Sequence, residues 1–179
     1  MEILVSWSTG KDSAWMLHTL RQQHSGAVAG LLTTTNEASD RVAMHAVRRE
    51  LLQAQAEATG LPLHVVPLPW PCSNEQYEAI MKRAVEGFVA DGFTHAAFGD
   101  LFLEDARRYR EERLAGSGLQ PLFPIWKTKS TAALAQDMVD AGLRATLTGV
   151  NPKQLDRSFA GRTFDPMTLG HQDLMARAS

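Results

Sequence analysis

Short apolar runs alternate along this chain with longer stretches in which apolar residues recur every third or fourth position. Ile3 to Val5 predicts a short buried strand, Lys11 to Gln23 a helix, and Ala27 to Thr33 a second strand. From about Asp40 to Thr59, the residues Met44, Val47, Leu51, Ala54 and Ala58 fall at helical spacing on one face. Gly60 closes that stretch, as a glycine after a helix commonly does. Leu63 to Val66 predicts a third strand, and Tyr77, Ile80, Ala84 and Phe88 mark a further helical face closed by Gly92. His95 to Phe98 reads as a fourth strand ending at Gly99-Asp100, followed by a charged helix from Glu104 to Leu114. Thr131 to Ala141, ended by Gly142, is another helix, and Ala145 to Thr148 a fifth strand.

Strands that alternate with crossover helices imply a parallel sheet covered by helices on both faces. Ligands in such folds bind beyond the carboxyl ends of the strands. The segments that matter are therefore Ser6 to Ser13, Thr34 to Asp40, Pro67 to Asn74, Gly99 to Asp105 and Gly149 to Arg162, and the polar residues concentrate there. No internal repeat or low-complexity segment interrupts the pattern, and Leu114 to Leu119 reads as a flexible loop rather than a boundary.

The first of these segments carries the sharpest chemistry. Ser8-Thr9-Gly10-Lys11-Asp12-Ser13 joins the first strand to the first helix. A helix start offers unpaired N–H groups and the positive end of the helix dipole. Glycine admits an anion close to the backbone, hydroxyls add donors and Lys11 adds charge, which together make a phosphate cradle. A Walker A loop would need glycine where Val5 stands and Ser or Thr where Asp12 stands; the dinucleotide fingerprint needs more than one glycine. The pattern that fits is the PP-loop, usually Ser-Gly-Gly-Lys-Asp-Ser, with Thr9 in place of the first glycine. The plainer alternative is a helix start capped by Ser8 or Thr9.

Composition narrows the class without naming it. The chain has 179 residues, 44% hydrophobic and 21% charged, which suits one folded domain. No apolar run reaches the roughly 20 residues of a membrane helix, and no basic stretch leads into an apolar one at the start, so the cytoplasm is the expected compartment. A net charge of −2 gives no general pull toward nucleic acid. The single cysteine, Cys72, excludes an internal disulfide and a cysteine-rich zinc site.

Beyond the loop, Val42-Ala43-Met44-His45 with the stretch Leu51 to Leu63, Gly99 to Asp105 with Arg107, Arg108 and Arg110, Pro121 to Trp126, and Leu155 to Arg162 occur in order. With these motifs the chain resembles the diphthine–ammonia ligase family, a group of PP-loop ATPases also described as adenine nucleotide alpha hydrolases. The similarity runs over residues 1–165, expected as a PP-loop ATP pyrophosphatase-like (diphthamide synthase) domain, with 166–179 a divergent tail. The family's usual ending near Glu-Asn-Gly-Glu-Phe-His-Thr has no counterpart in Pro166 to Ser179, and Ala106 stands where a histidine is usual. The fold this implies is a three-layer α/β/α arrangement with a mostly parallel five-stranded sheet, the HUP/PP-loop form of a Rossmann-like architecture.

The resemblance implies adenylation of a carboxylate by ATP, with release of pyrophosphate, and capture of the acyl-adenylate by ammonia or another amine. Diphthine on a translation elongation factor and a small-molecule carboxylate are the two acceptors in view. Ser6, Ser8, Thr9, Gly10, Lys11, Asp12, Ser13, Thr34 and Gly99 are the candidate ATP contacts. Lys11, Asp12, Asp100 and Glu104 are candidate catalytic residues, and Asp12 and Asp100 the candidate ligands for magnesium. Arg107, Arg110, Trp126, Asp156, Ser158, Gly161 and Arg162 are candidates for the acceptor side.

Each of these has a structural alternative. Arg107 and Arg108 suit surface pairs with Glu111 and Glu104. Trp126 follows a Pro-rich strand and suits a core position as well as a stacking one. His45 suits a packed or solvated histidine, and the Trp70–Cys72 loop a rigid connection. Gly161-Arg162 suggests close backbone approach beside an anion contact. Two other functions compete. A tRNA sulfur transferase of the same loop type commonly uses two cysteines, and this chain has one. An ATP-binding protein without ligase activity would need only the loop.

Overall fold

The computed structural model describes residues 1–153 and 155–165. Strands β1 (Ile3–Ser6), β2 (Val28–Asn36), β3 (Arg41–Val42), β4 (Leu63–Leu68), β5 (His95–Ala97) and β6 (Gln120–Leu122) alternate with helices α1 (Lys11–Gln23), α2 (Arg49–Thr59), α3 (Asn74–Ala90) and α4 (Glu104–Leu114). Helix α5 (Thr131–Asp140) and a 3-10 turn, Arg157–Phe159, follow. The chain forms two compact units: Met1–Asp100 with Glu104–Ile125, and Leu101–Leu103 with the described part of Trp126–Ser179. No helix among the described residues is long and apolar enough to cross a membrane.

The first unit is built on a six-stranded sheet. Five strands run parallel in the order β4-β2-β1-β5-β6, with Leu31 of β2 set between Val5 of β1 and Leu63 of β4. The chain steps outward from β1 through β2 to β4, then returns past β1 to β5 and β6. Right-handed crossovers therefore put α1 and α2 on one face and α3 and α4 on the other, the three-layer Rossmann-like arrangement the pattern predicts. The strand order reverses between β1 and β5, where crevices form in such sheets.

Alternation along β1 splits the core in two. Leu4 joins Phe88, Phe93, Ala96, Leu114 and Leu119 in a cluster on the α3 and α4 side. Ile3 and Val5 point the other way, toward the side where Met16, Leu17 and Leu20 of α1 are buried. His64 meets Phe88 and Phe93 edge-on, with ring centroids 5.3 and 5.5 Å away. A cavity of about 630 Å³ opens between α3 and α4 over Leu4, Leu32 and Phe98. Burial at this cavity pushes the Tyr77 hydroxyl above its ordinary range.

Two expectations from the pattern are corrected. The fifth parallel strand is β6, the proline-rich strand before Trp126, which pairs with β5 through His95–Gln120, Ala96–Pro121 and Ala97–Leu122. Pro121 is tolerated because β6 is an edge strand, where a missing N–H breaks no inner ladder. Among the described residues, Ala145 to Thr148 makes a single isolated bridge, Thr146 to Thr163, in the second unit.

The helix predicted from Asp40 begins only at Arg49. Arg41 and Val42 instead pair antiparallel with the end of β2, and Arg41 bridges back to Arg48. This small hairpin takes Met44 and Val47 out of the helix. The buried face of α2 is then Leu52 and Ala56, while Leu51 is 53% exposed and Ala54 and Ala58 lie outside the core. Leu52→Ala is expected to cost about 2–5 kcal/mol in urea unfolding. Leu51→Ala, one position along, should stay within about 0.5 kcal/mol.

Candidate functional site

The loop from Ser6 to Ser13 leaves the end of β1 and is fixed before it reaches the helix. Trp7, 5% exposed, donates its backbone N–H to the Leu32 carbonyl at 2.7 Å. Its own carbonyl accepts from the buried Thr33 hydroxyl at 2.7 Å, and its indole N–H reaches Gln55 Oε1 at 3.1 Å. The sequence reading passed over Trp7. Its signal was there, a single large aromatic residue between two serines.

Thr9 and Gly10 then meet two different demands. Thr9 has φ +68°, the left-handed region where a side chain is crowded. Its hydroxyl oxygen is buried with no hydrogen-bond partner among the described residues. The usual glycine at this position thus serves conformation, and Thr9 occupies it under strain. Gly10 is the N-cap of α1 with φ −93° and ψ 170°, open to any residue. A Cβ there would come within 2.9 Å of His45 Nε2, the far end of an exposed side chain, so Gly10 leaves room for the imidazole where it lies.

The first turn of α1 carries no side-chain cap. Ser8, read as a possible cap, instead donates to Ser13 Oγ at 3.3 Å, and Ser13 donates to the Gly10 carbonyl at 2.8 Å. Helices α3 and α5, by contrast, are closed by Ser73 and Ser130. Lys11 Nζ lies 2.8 and 3.0 Å from the two oxygens of Asp12, both side chains partly exposed. Ser6 ends β1 opposite Leu32, and Thr34 in β2 gives its carbonyl to the Ala43 N–H at 2.9 Å.

Gly99 sits against this turn. A Cβ there would be 3.3 Å from the carbonyl carbon and oxygen of Asp12. The next residue, Asp100, is held by Arg110 through Nε at 2.6 Å and Nη2 at 3.3 Å. Arg110 also lies over the Phe98 ring, 4.4 Å from its centroid. Arg107 pairs with Glu111 at 2.8 Å and covers Phe123. Arg108 pairs with Asp105 rather than with Glu104. Glu104 opens α4 at an exposed position. The cavity between α3 and α4 takes Arg110 into its wall but no residue of the loop.

The remaining candidates lie in the second unit. Trp126 is half-buried, with Lys127 Nζ 5.3 Å from its ring. Asp156 caps the 3-10 turn by accepting from the Ser158 N–H at 2.9 Å, and that bond holds its carboxyl below the usual range. Arg162 donates to the Ser158 carbonyl at 3.0 Å and covers the Phe159 ring. Gly161 has φ +87° and open space where a Cβ would stand, so it serves the turn rather than a close approach among the described residues. Asp156, Ser158, Gly161 and Arg162 thus share one self-bonded turn. Pro166 to Ser179 lies outside the described residues.

Two substitutions check this geometry. Thr9→Gly removes a left-handed threonine and a buried unpaired hydroxyl, against the added chain entropy of glycine. A net gain of about 1 kcal/mol is expected, raising the melting temperature by about 2–4 °C. A double-mutant cycle on Asp100→Ala and Arg110→Ala is expected to give a coupling of about 1–2 kcal/mol in unfolding experiments, because the pair is mostly shielded from water.

The segment holding the loop, Gly99, Asp100 and α4 is also the part of the chain with a known relative. The family model for the diphthamide synthase N-terminal domain matches residues 1–121. A search of curated proteins gave no match. The matched span ends before Trp126 and the Asp156 to Arg162 turn. The chain belongs to the diphthamide synthase N-terminal domain family, a PP-loop family of ATP-using enzymes.

Proposed function

We propose that this protein is an AMP-forming carbon–nitrogen ligase similar to diphthine–ammonia ligase. In this reading, a carboxylate oxygen of the acceptor attacks the α-phosphorus of ATP and pyrophosphate leaves. Ammonia or an amine then attacks the acyl carbon, AMP departs, and an amide remains. The observation that carries the reading is the uncapped first turn of α1 behind Gly10, in a segment matched to an ATP-using family. The N–H groups of that turn are donors in fixed positions, of the kind that stabilise charge building on a leaving pyrophosphate.

The roles follow from charge and position. Ser6, Ser8, Thr9, Gly10, Lys11, Asp12, Ser13, Thr34 and Gly99 are assigned to the nucleotide. Lys11, now paired with Asp12, is the cation that would turn to phosphate. Asp12 and Asp100 are hard oxygen donors suited to Mg²⁺, which takes one or two carboxylates and completes its shell with water and phosphate. Bound there, the ion would offset charge on the phosphates. Arg110 positions the Asp100 carboxylate. Glu104 is assigned to the amine and Arg107 and Arg110 to the acceptor in the first unit; Trp126, Asp156, Ser158, Gly161 and Arg162 are the second unit's own candidates for the acceptor. The domain is assigned to residues 1–165, and the cytoplasm is the proposed compartment. The acceptor is a carboxylate, either diphthine on an elongation factor or a small molecule.

The test is product analysis. Incubation with ATP, Mg²⁺, ammonia and a set of carboxylates, diphthine-bearing elongation factor included, should release AMP and pyrophosphate in step with amide. Lys11→Ala and Asp12→Ala should each lower kcat/KM by about 100-fold or more. ATP binding without cleavage between the α and β phosphates under every acceptor would overturn the ligase reading. Unchanged turnover in both variants would overturn the assigned site.

A further inference from the structure

His45 sits at the tip of the hairpin that replaced the start of the predicted helix. The Val42 N–H donates to the Val47 carbonyl, the Ala46 N–H to the Val42 carbonyl and the Ala43 N–H to the Thr34 carbonyl, each at 2.9 Å. Arg41 Nη1 donates to the Ala46 carbonyl at 2.7 Å. Ala46 adopts φ +52°, which costs a residue with a side chain about 1 kcal/mol. All these bonds are made by the backbone or by Arg41. They shape the turn and leave the imidazole out of it.

The imidazole is exposed, and no hydrogen bond to another described residue holds it. It nevertheless lies over the loop. A Cβ built on Gly10 would meet His45 Nε2 at 2.9 Å, His45 Cδ2 at 3.3 Å and Ser8 Oγ at 3.5 Å. Gly10 has an ordinary extended conformation that does not require glycine, and its bare Cα leaves space there. An imidazole nitrogen and a serine hydroxyl converge on that space, beside the uncapped turn of α1.

We infer that His45 is a phosphate-contacting residue of the nucleotide site. Its Nε2–H and the Ser8 hydroxyl would donate to phosphate oxygens above Gly10, adding side-chain donors from the segment after β2 to the N–H groups of α1. The neutral imidazole suffices as a donor. This assignment rests on the ATP reading above and names a contact that the loop motif does not contain.

Calorimetric titration separates the two. Wild-type protein, His45→Ala, His45→Phe and His45→Gln are each titrated with ATP, inorganic pyrophosphate and adenosine. ATP and pyrophosphate binding should weaken about 10-fold in His45→Ala and His45→Phe, as loss of one hydrogen bond to a charged group implies. His45→Gln, which keeps a donor, should recover part of the loss. Adenosine affinity and the melting temperature of the ligand-free protein should not change. ATP affinity in His45→Ala equal to that of a binding-competent wild type would overturn this assignment alone, as would an equal loss for adenosine. Failure of the wild type to bind ATP would overturn the ATP reading, and this contact with it.

Discussion

The first turn of α1 rests against Gly99, two residues beyond the end of β5. A side chain at Gly99 would press on the Asp12 carbonyl at 3.3 Å, and backbone cannot yield there as a flexible side chain can. β1 and β5 are neighbours in the sheet, so the loop leaving one and the residue ending the other share the crevice at the point where strand order reverses. Asp100 follows one residue on from that approach. Asp100, with its side chain 12% exposed, is in turn tied to Arg110.

The loop itself is held from behind. Trp7 is bonded through its N–H, its carbonyl and its indole to three different residues, so the chain enters the turn in one orientation. Rigidity there lets Thr9 persist at φ +68° with an unpaired hydroxyl, an arrangement that a loose loop would relax. His45 Nε2 and Ser8 Oγ then lie 2.9 and 3.5 Å from where a Cβ of Gly10 would stand, beside the uncapped turn of α1.

Much of the fold was legible because it depends on local pattern. Helix α1 begins and ends at the predicted residues, since a glycine-led start and a periodic apolar face are both local signals. Helices α3, α4 and α5 also fall where the pattern along the chain places them. Asp40 to Arg48 misled because Met44 and Val47 fell by chance at helical spacing, while the pairing with β2 that overrode it is a contact between segments. The place of β6 in the sheet was hidden in a similar way: the Pro-rich segment before Trp126 reads as a strand, but its pairing with β5 is a contact between segments. Among site residues, the loop could be read directly. The Asp100–Arg110 pair could not, because it joins residues ten apart and Arg110 reads from the sequence as an acceptor contact.

The amino-acid sequence by itself determined that strands alternate with helices, that a phosphate-type loop follows the first strand, and that the signature residues occur in order. These are properties of neighbours in the chain, carried by side-chain period and by the special conformations of glycine. Tertiary structure alone decided which strand completed the sheet, which face of α2 was buried and what filled the space at Gly10. Each of those depends on residues far apart in sequence competing for one volume or one hydrogen bond, and His45 over the phosphate loop is the case with the most direct bearing on function.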